Sequence, residues 1–291
     1  MSDELSIDKR SSRRAFERAA HTYDEAAALQ NEVCGRMLSR LDYIKHRPEA
    51  ILDAGSGTGN ALRALRERYS AARIVALDIA LAMLKRGRAR LPWWKGMVGR
   101  GTQPVCGDIE ALPFAEGAFG MVWSNLTLQW ANDPQRAFTE LRRVLAPGGL
   151  LMFSTFGPDT LRELRQAYHG TDRHTHVNRF IDMHDIGDML VAGGFSDPVM
   201  DMEHFTLTYA DVRQLMHELK AIGAGNVTRG RPDALSGKSR LAAVMRNYER
   251  FRRDGKLPAT FEVVYGHAWK PLPRVSPSGR RVIEVKPRVM R

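Results

Sequence analysis

Short apolar runs that end on an acid, an amide or a glycine recur along the first half of the chain. Ile51-Leu52 opens into Asp53-Ala-Gly-Ser-Gly-Thr-Gly59, and Ile74-Val-Ala-Leu77 ends on Asp78. Pro104-Val-Cys106 leads to Gly107-Asp108-Ile109, Phe119–Ser124 leads to Asn125, and Leu150–Thr155 follows a turn at Pro147-Gly148-Gly149. Runs of this length bounded by turn residues predict strands. Between them, residues 61–69 and 80–90 predict helices, and ahead of them Leu29, Val33, Met37 and Leu41 share one helical face. Further on, 159–168 and 185–192 predict helices, the second closed by Gly193-Gly194. Val199–Leu207 and Phe261–Trp269 supply a sixth and a seventh strand, separated by an insertion with helical patterns at 210–222 and 239–252. The alternation predicts an α/β fold: one seven-stranded, mostly parallel sheet with helices on both faces. Insertions near 158–181 and 208–257 fall above the strand ends and predict a helical lid.

The glycine loop carries the first chemical signal. Its spacing is G-x-G-x-G rather than the dinucleotide G-x-G-x-x-G, and no Gly-Lys-Ser/Thr follows. Asp53 opens the loop where a pyrophosphate would be repelled, so a cationic ligand is favoured; S-adenosylmethionine, an ammonium and a sulfonium, fits. Asp78 can accept from both ribose hydroxyls or N-cap the following helix. Asp108 can accept from an adenine amino group while Ile109 packs on the ring, or serve only as a turn residue. Together with Asn125, these positions fall at the carboxyl ends of successive strands, where open α/β sheets bind ligands.

Over roughly residues 45–156 this pattern resembles the class I S-adenosylmethionine-dependent methyltransferases, and the resemblance implies a Rossmann-like fold. It assigns Asp53, Gly55, Gly57 and Gly59 to the methionine part, Asp78 to the ribose and Asp108 with Ile109 to the adenine. Ile79 and Met83 join the donor site, and Asn125 lines the transfer pocket. Further segments narrow the resemblance: Phe16…Ala19-Ala20…Tyr23-Asp24, Trp123–Trp130, Asn178-Arg-Phe180, Leu219–Ala224 and Pro258–Phe261. Over roughly residues 10–270 the chain resembles the malonyl-acyl-carrier-protein O-methyltransferases of biotin synthesis. That family methylates the free carboxylate of malonyl carried on acyl carrier protein or coenzyme A, and the resemblance places Tyr23 and Arg179 at the active site. The Arg179 fork matches a carboxylate, although a structural ion pair beneath the lid is the alternative. Tyr23 closes over the donor or is a core tyrosine. A related methyltransferase-like arginine hydroxylase of respiratory complex I assembly shares Phe156–Leu161, Leu164 and Pro258–Phe261. A donor-binding assembly factor without turnover is a third reading.

Composition narrows the setting. At 291 residues with 43% hydrophobic, the chain can bury a sizeable core. The expected organisation is an N-terminal helical cap over 1–44, a methyltransferase domain over 45–270 and a basic flexible tail over 271–291. No apolar run reaches the length of a membrane span, and the N-terminal residues lack a signal-peptide pattern, so a cytoplasmic enzyme without membrane partners is expected. Cys34 and Cys106 fit no metal or redox spacing, and no metal is expected. The net charge is +11. Six basic residues sit in the tail against Glu284, and Lys9, Arg10, Arg13 and Arg14 form a second cluster. Such a surface suits an acidic acyl carrier protein; no nucleic-acid fingerprint accompanies it. His174 and His176 read as surface residues, and His176 can also lie near the substrate. Trp93-Trp94-Lys95 reads as a loop patch or core-edge cover, and Trp123 and Trp130 as packing residues. Arg229, Arg231, Lys238 and Arg240 suit a phosphopantetheine phosphate or a solvated loop.

Overall fold

The computed structural model describes residues 6–90, 102–172, 174–231 and 237–273. Seven strands form one sheet: β1 (Ala50–Ala54), β2 (Arg73–Asp78), β3 (Gln103–Cys106), β4 (Phe119–Ser124), β5 (Leu145–Phe156), β6 (Ser196–Tyr209) and β7 (Leu257–Trp269). Their spatial order is β3-β2-β1-β4-β5-β7-β6, with every pairing parallel except the two made by β7. The chain reverses direction across the sheet between β1 and β4. Strand carboxyl ends diverge there and leave a crevice for a ligand.

The central strands are apolar throughout because both faces are covered. One core layer places Ile51, Met121, Trp123 and Met152 with Val33 and Met37 of α3 (Ala28–Arg40). The opposite layer places Leu52, Val122, Phe153 and Val264 with Phe138 and Leu141 of α6 (Pro134–Val144). Trp123 is fully buried, as a packing residue should be. Strand β6 is an edge, and its burial alternates along most of its length; it runs longer than its apolar pattern suggests because β7 pairs with it from Leu257 onward. The Pro147-Gly148-Gly149 turn is taken up inside β5, where the register against β4 jumps between Phe119 and Met121 and Gly148 has φ +75°. That bulge is the physical form of the predicted turn.

Helices α4 (Leu62–Arg68), α5 (Leu81–Arg90), α7 (Arg162–Tyr168), α8 (Met183–Ala192), α9 (Val212–Ala221) and α10 (Lys238–Glu249) lie within the sequence expectations to a few residues. Before them, α1 (Lys9–Ala19) starts on Asp8, whose side chain accepts from the Arg10 and Ser11 amides, and α2 (Tyr23–Ala26) is one short turn. Both lie over the strand ends. Phe16 and Ala19 press so closely on the turn after α9 that a Cβ on Gly223 would sit 2.9 Å from the Phe16 ring. The Trp93-Trp94-Lys95 patch, the basic tail from Arg274 and the Lys238 side chain fall outside the described residues.

Candidate active site

The glycine loop leaves β1 and returns at once to β2, because Gly55 and Ser56 both donate backbone N–H groups to Leu77 O. Its glycines have different tasks. Gly55 takes φ +82°, and a Cβ there would lie 2.0 Å from Thr127 Oγ1, so the side of the loop facing Thr127 has no room. Gly57 has φ +55° and open space beside it, which leaves its backbone approachable. Gly59 (φ +81°) turns the chain toward α4, and α5 comes close enough that a Cβ on Gly87 would meet Thr58 O at 2.9 Å.

Two acids stand at the crevice. Asp53, at the end of β1, is buried, and burial together with the negative Asp78 pushes its carboxyl up to about 7 against the Ser56 hydroxyl, which donates at 2.7 Å. Burial also raises Asp78, to about 6, although its oxygens accept from Gly57 N at 2.9 Å and Ala80 N at 2.8 Å. Asp78 therefore joins the glycine loop to the start of α5 and also faces the cavity. Acids disfavoured as anions are prepared to accept a cation, since a positive group beside them restores their charge.

One cavity is walled by Gly55, Gly57, Asp78, Ile79, Met83, Asp108, Ile109 and Asn125, with Tyr23 and Trp130 closing it from the lid side. An adjoining hollow holds Asp53 and shares Tyr23, Gly55, Gly57 and Asn125 with the first. Gly59 lies apart, beneath the loop, in a small recess against Leu62 and Gly87. Tyr23 packs with Ala19, Ala20, Ala80 and Met83, and burial together with the Asp78 and Asp24 charges drives its phenol pKa upward. It stays protonated at neutral pH and can donate a hydrogen bond but not act as a base. Asn125 is a brace: its Nδ2 donates to Gln30 O at 3.1 Å, and its Oδ1 accepts from Ser154 Oγ at 2.8 Å. The next residue, Leu126, is held at φ 50° with its backbone N–H donating a hydrogen bond to Ser154 O. Such strain persists only where its surroundings impose it, and it gathers at functional sites.

Asp108 serves as a turn residue and also lines the cavity. Its Oδ1 accepts from Glu110 N in the turn, and its Oδ2 faces the cavity, 2.5 Å from Lys9 Nζ. Lys9 also reaches Glu110 Oε2 at 2.5 Å, so it is not a free member of the N-terminal basic cluster. Ser12 of α1 and Gln30 of α3 join the walls without a sequence signal of their own, because those helices reach the site only through tertiary packing; Lys9, Phe16 and Gln129 join them too. Trp130, read from sequence as packing, stands edge-on to Phe16 with ring centroids 5.1 Å apart and borders two cavities.

The second cavity, about 390 Å³, continues from the first past Gln30, Gln129, Trp130, Phe156, Ile222 and Ala224. Its walls are largely apolar: Leu161, Leu164, Phe180, Met216, Leu219 and Phe261. A third, wider cavity, here the outer one because the exposed His174 and Arg179 line it, shares Tyr168, His176, Asn178 and Phe180 with the second. Arg179 is exposed and lines this outer cavity, not the donor pocket; its neighbour Phe180 turns inward and packs on Phe156 at 5.7 Å. Adjacent loop residues point to opposite sides. His174 is exposed, whereas His176 is a wall residue stacked on Tyr168 at 3.9 Å and paired with Asp172 at 2.8 Å. Arg240 also pairs with Asp172, and Arg231 bonds Val227 O, Thr228 O and Ser11 Oγ, so neither is a free cation on a solvated loop. Among the described residues, Asp159, His204 and Glu262 cluster within 4.8 Å. Glu262 already accepts from Asp159 N there.

The strand order, with ligand-facing residues after β1 to β4, defines a class I S-adenosylmethionine-dependent methyltransferase. A family model described as a methyltransferase domain matches residues 52–153. Among solved structures, the YcgJ protein of Bacillus subtilis shares the fold at TM-score 0.58 and 13% identity, over 82% of this chain and 98% of that one. Phosphoethanolamine N-methyltransferase 2 of Haemonchus contortus, in complex with S-adenosyl-L-methionine, does so at TM-score 0.52 and 17% identity, over 88% and 57%. Much closer in sequence is a malonyl-[acyl-carrier protein] O-methyltransferase of Gallionella capsiferriformans, 59% identical over 97% of this chain and 98% of the relative. The enzyme of that name in Nitrosospira multiformis is 56% identical over 95% of each chain. The chain belongs to the malonyl-[acyl-carrier protein] O-methyltransferase family.

Proposed function

We propose that the protein transfers the methyl group of S-adenosylmethionine to the free carboxylate of a malonyl thioester. The carrier is acyl carrier protein, with coenzyme A as an alternative, and the methyl ester serves as primer for biotin synthesis. The observation that carries this reading is the adjacency of the donor cavity and the second cavity, which share Gln30, Gln129, Trp130, Phe156, Ile222 and Ala224. It suits a slender acyl arm entering from the outer side. The relatives' names favour this activity over arginine hydroxylation. A cytoplasmic location accompanies it and agrees with free thiols at Cys34 and Cys106. No helix among the described residues is long and apolar enough to cross a membrane.

The chemistry needs no general base. A malonyl carboxylate, with a pKa near or below about 4, is already ionised at neutral pH. One of its oxygens attacks the sulfonium methyl in line, the carbon–sulfur bond breaks toward sulfur, and a neutral ester and thioether result. Anion and cation annihilate in this step, so an apolar, water-poor cavity favours it. Positioning supplies roughly 7–11 kcal/mol when the partners are well oriented. Asp53 accepts the donor ammonium, Asp78 the ribose hydroxyls and Asp108 the adenine amino group, while Tyr23 covers the donor. Arg179, at the outer cavity, receives the substrate carboxylate and guides it inward. The reaction calls for no metal, and nucleic acid and membrane have no part in it.

The test is S-adenosylhomocysteine release with malonyl-acyl carrier protein against acetyl-acyl carrier protein. Turnover with the malonyl form alone is expected, and Arg179→Ala should raise KM about tenfold or more, the loss of a charged contact. Donor binding without turnover on either substrate would instead support the non-catalytic assembly factor.

A further inference from the structure

Asn125 and Asn178 make a useful contrast. Asn125 has both ends of its carboxamide engaged by the protein. Asn178 is 8% exposed, lines both the second and the outer cavity, and its Oδ1 is buried without a hydrogen-bond partner. Buried polar side chains are nearly always hydrogen-bonded, and an amide oxygen left alone is costly. The group is not idle through looseness. Thr175 N donates to Gly230 O, Asn226 Nδ2 donates to Thr175 O, and Phe180 is clamped on Phe156, so the loop is tied down on both sides of Asn178. It shares the second cavity with the apolar Leu161, Leu164, Val177 and Phe180 and with the polar His176, Asn226 and Arg231.

Resting on the malonyl-thioester reading, we infer that Asn178 is the specificity contact for the arm that carries the malonyl group. A pantetheine arm is apolar and slender apart from its secondary amides, each presenting one N–H and one C=O. Beyond the thioester, the first polar group of such an arm is an amide, and it must travel the second cavity while the carboxylate points to the donor. The Asn178 carboxamide, on the wall shared by the second and outer cavities, offers a matching hydrogen-bond partner. It acts as a positioning residue: it selects thioesters with an amide-bearing arm over bare ones and sets the depth to which the malonyl end reaches.

The experiment compares two substrates identical at the reacting end: malonyl-pantetheine, and a malonyl thioester of a simple alkyl thiol without amides. In the wild type the first is preferred in kcat/KM. Asn178→Leu, which keeps the volume and removes the carboxamide, is expected to lower that preference about tenfold, the scale of one buried hydrogen bond. Binding of S-adenosylhomocysteine reports that the variant is folded, and Asn178→Ala, which also removes the carboxamide, is read the same way should the leucine form fail to fold. A preference that stays constant, whether both substrates lose equally or neither loses, overturns the inference; a carboxamide satisfied by water alone gives that result. Turnover of malonyl-acyl carrier protein but of neither small thioester would show that arm contacts do not support the reaction, and overturns the inference alone. A wild type that turns over none of the three overturns the malonyl reading itself, and the arm contact with it.

Discussion

Asp53 and Asp78 bring pH dependence into the donor site through two carboxyls raised by burial to about 7 and about 6. A raised carboxyl holds its proton more tightly in the folded state than in the unfolded chain. These two groups therefore favour the ligand-free fold fully below pH 4 and cease to do so as pH climbs through 6 and 7. His267 works in the opposite sense, since burial lowers its imidazole. Donor binding resolves the two: an ammonium beside Asp53 favours the anion, so binding releases protons. Affinity for S-adenosylmethionine should rise from pH 5.5 to 7.5, with an inflection between 6 and 7. Calorimetry in buffers of different ionisation enthalpy reads both the affinity and the proton count. A flat profile in that window would show that these acids are already ionised and play no such part.

The donor site is closed by contacts between elements that are remote in sequence. Glu17 of α1 accepts from Leu81 N at 2.8 Å and Ala82 N at 3.0 Å, so a residue of the N-terminal segment caps the N-terminus of α5. A carboxylate there meets free amides and the positive end of the helix dipole. Thr58 of the glycine loop donates to Asp24 at 2.6 Å, and Thr22 donates to Ala221 O at 2.8 Å. Glu17→Ala removes two charge-assisted bonds at a half-exposed site and should cost about 1 kcal/mol, a fall in Tm of roughly 3 °C. Hydrogen exchange should then speed up in α1 and the first turn of α5 before it does in β1 and β4. Equal protection of α1 in variant and wild type would mean that Phe16 and Ala19 hold the helix without the cap.

At the scale of the molecule, the cavities form one path from Asp53 to the outer wall at Arg179, and the chain carries a net charge of +11. An acidic carrier approaching such a surface is steered by charge, and salt screens that attraction over about 10 Å at 0.1 M. Raising ionic strength from about 0.05 to 0.3 M should increase KM for malonyl-acyl carrier protein several-fold. The uncharged-arm substrate malonyl-pantetheine should change far less, and steady-state kinetics at two salt concentrations decides it. Equal shifts for both would place the salt effect at the malonyl carboxylate rather than on the docking surface.

Strand identities, the glycine loop and the acids after β1, β2 and β3 were legible along the chain, because each is a local pattern: an apolar run, then a residue suited to a turn and a ligand. Most helices were legible for the same reason, marked by apolar periodicity; the structure adds capping side chains at Asp182 and Asp211. The sequence alone thus determined the α/β order and which residues after β1, β2, β3 and β4 gather at one crevice. Tertiary structure decided the rest. It separated Gly55, packed on Thr127, from Gly57, left open; it paired Lys9 with Asp108 across 99 positions; and it turned Arg179 outward while Asn178 and Phe180 went in. A binding wall built from segments far apart in sequence has no local period, so only the packing that brings them together defines it.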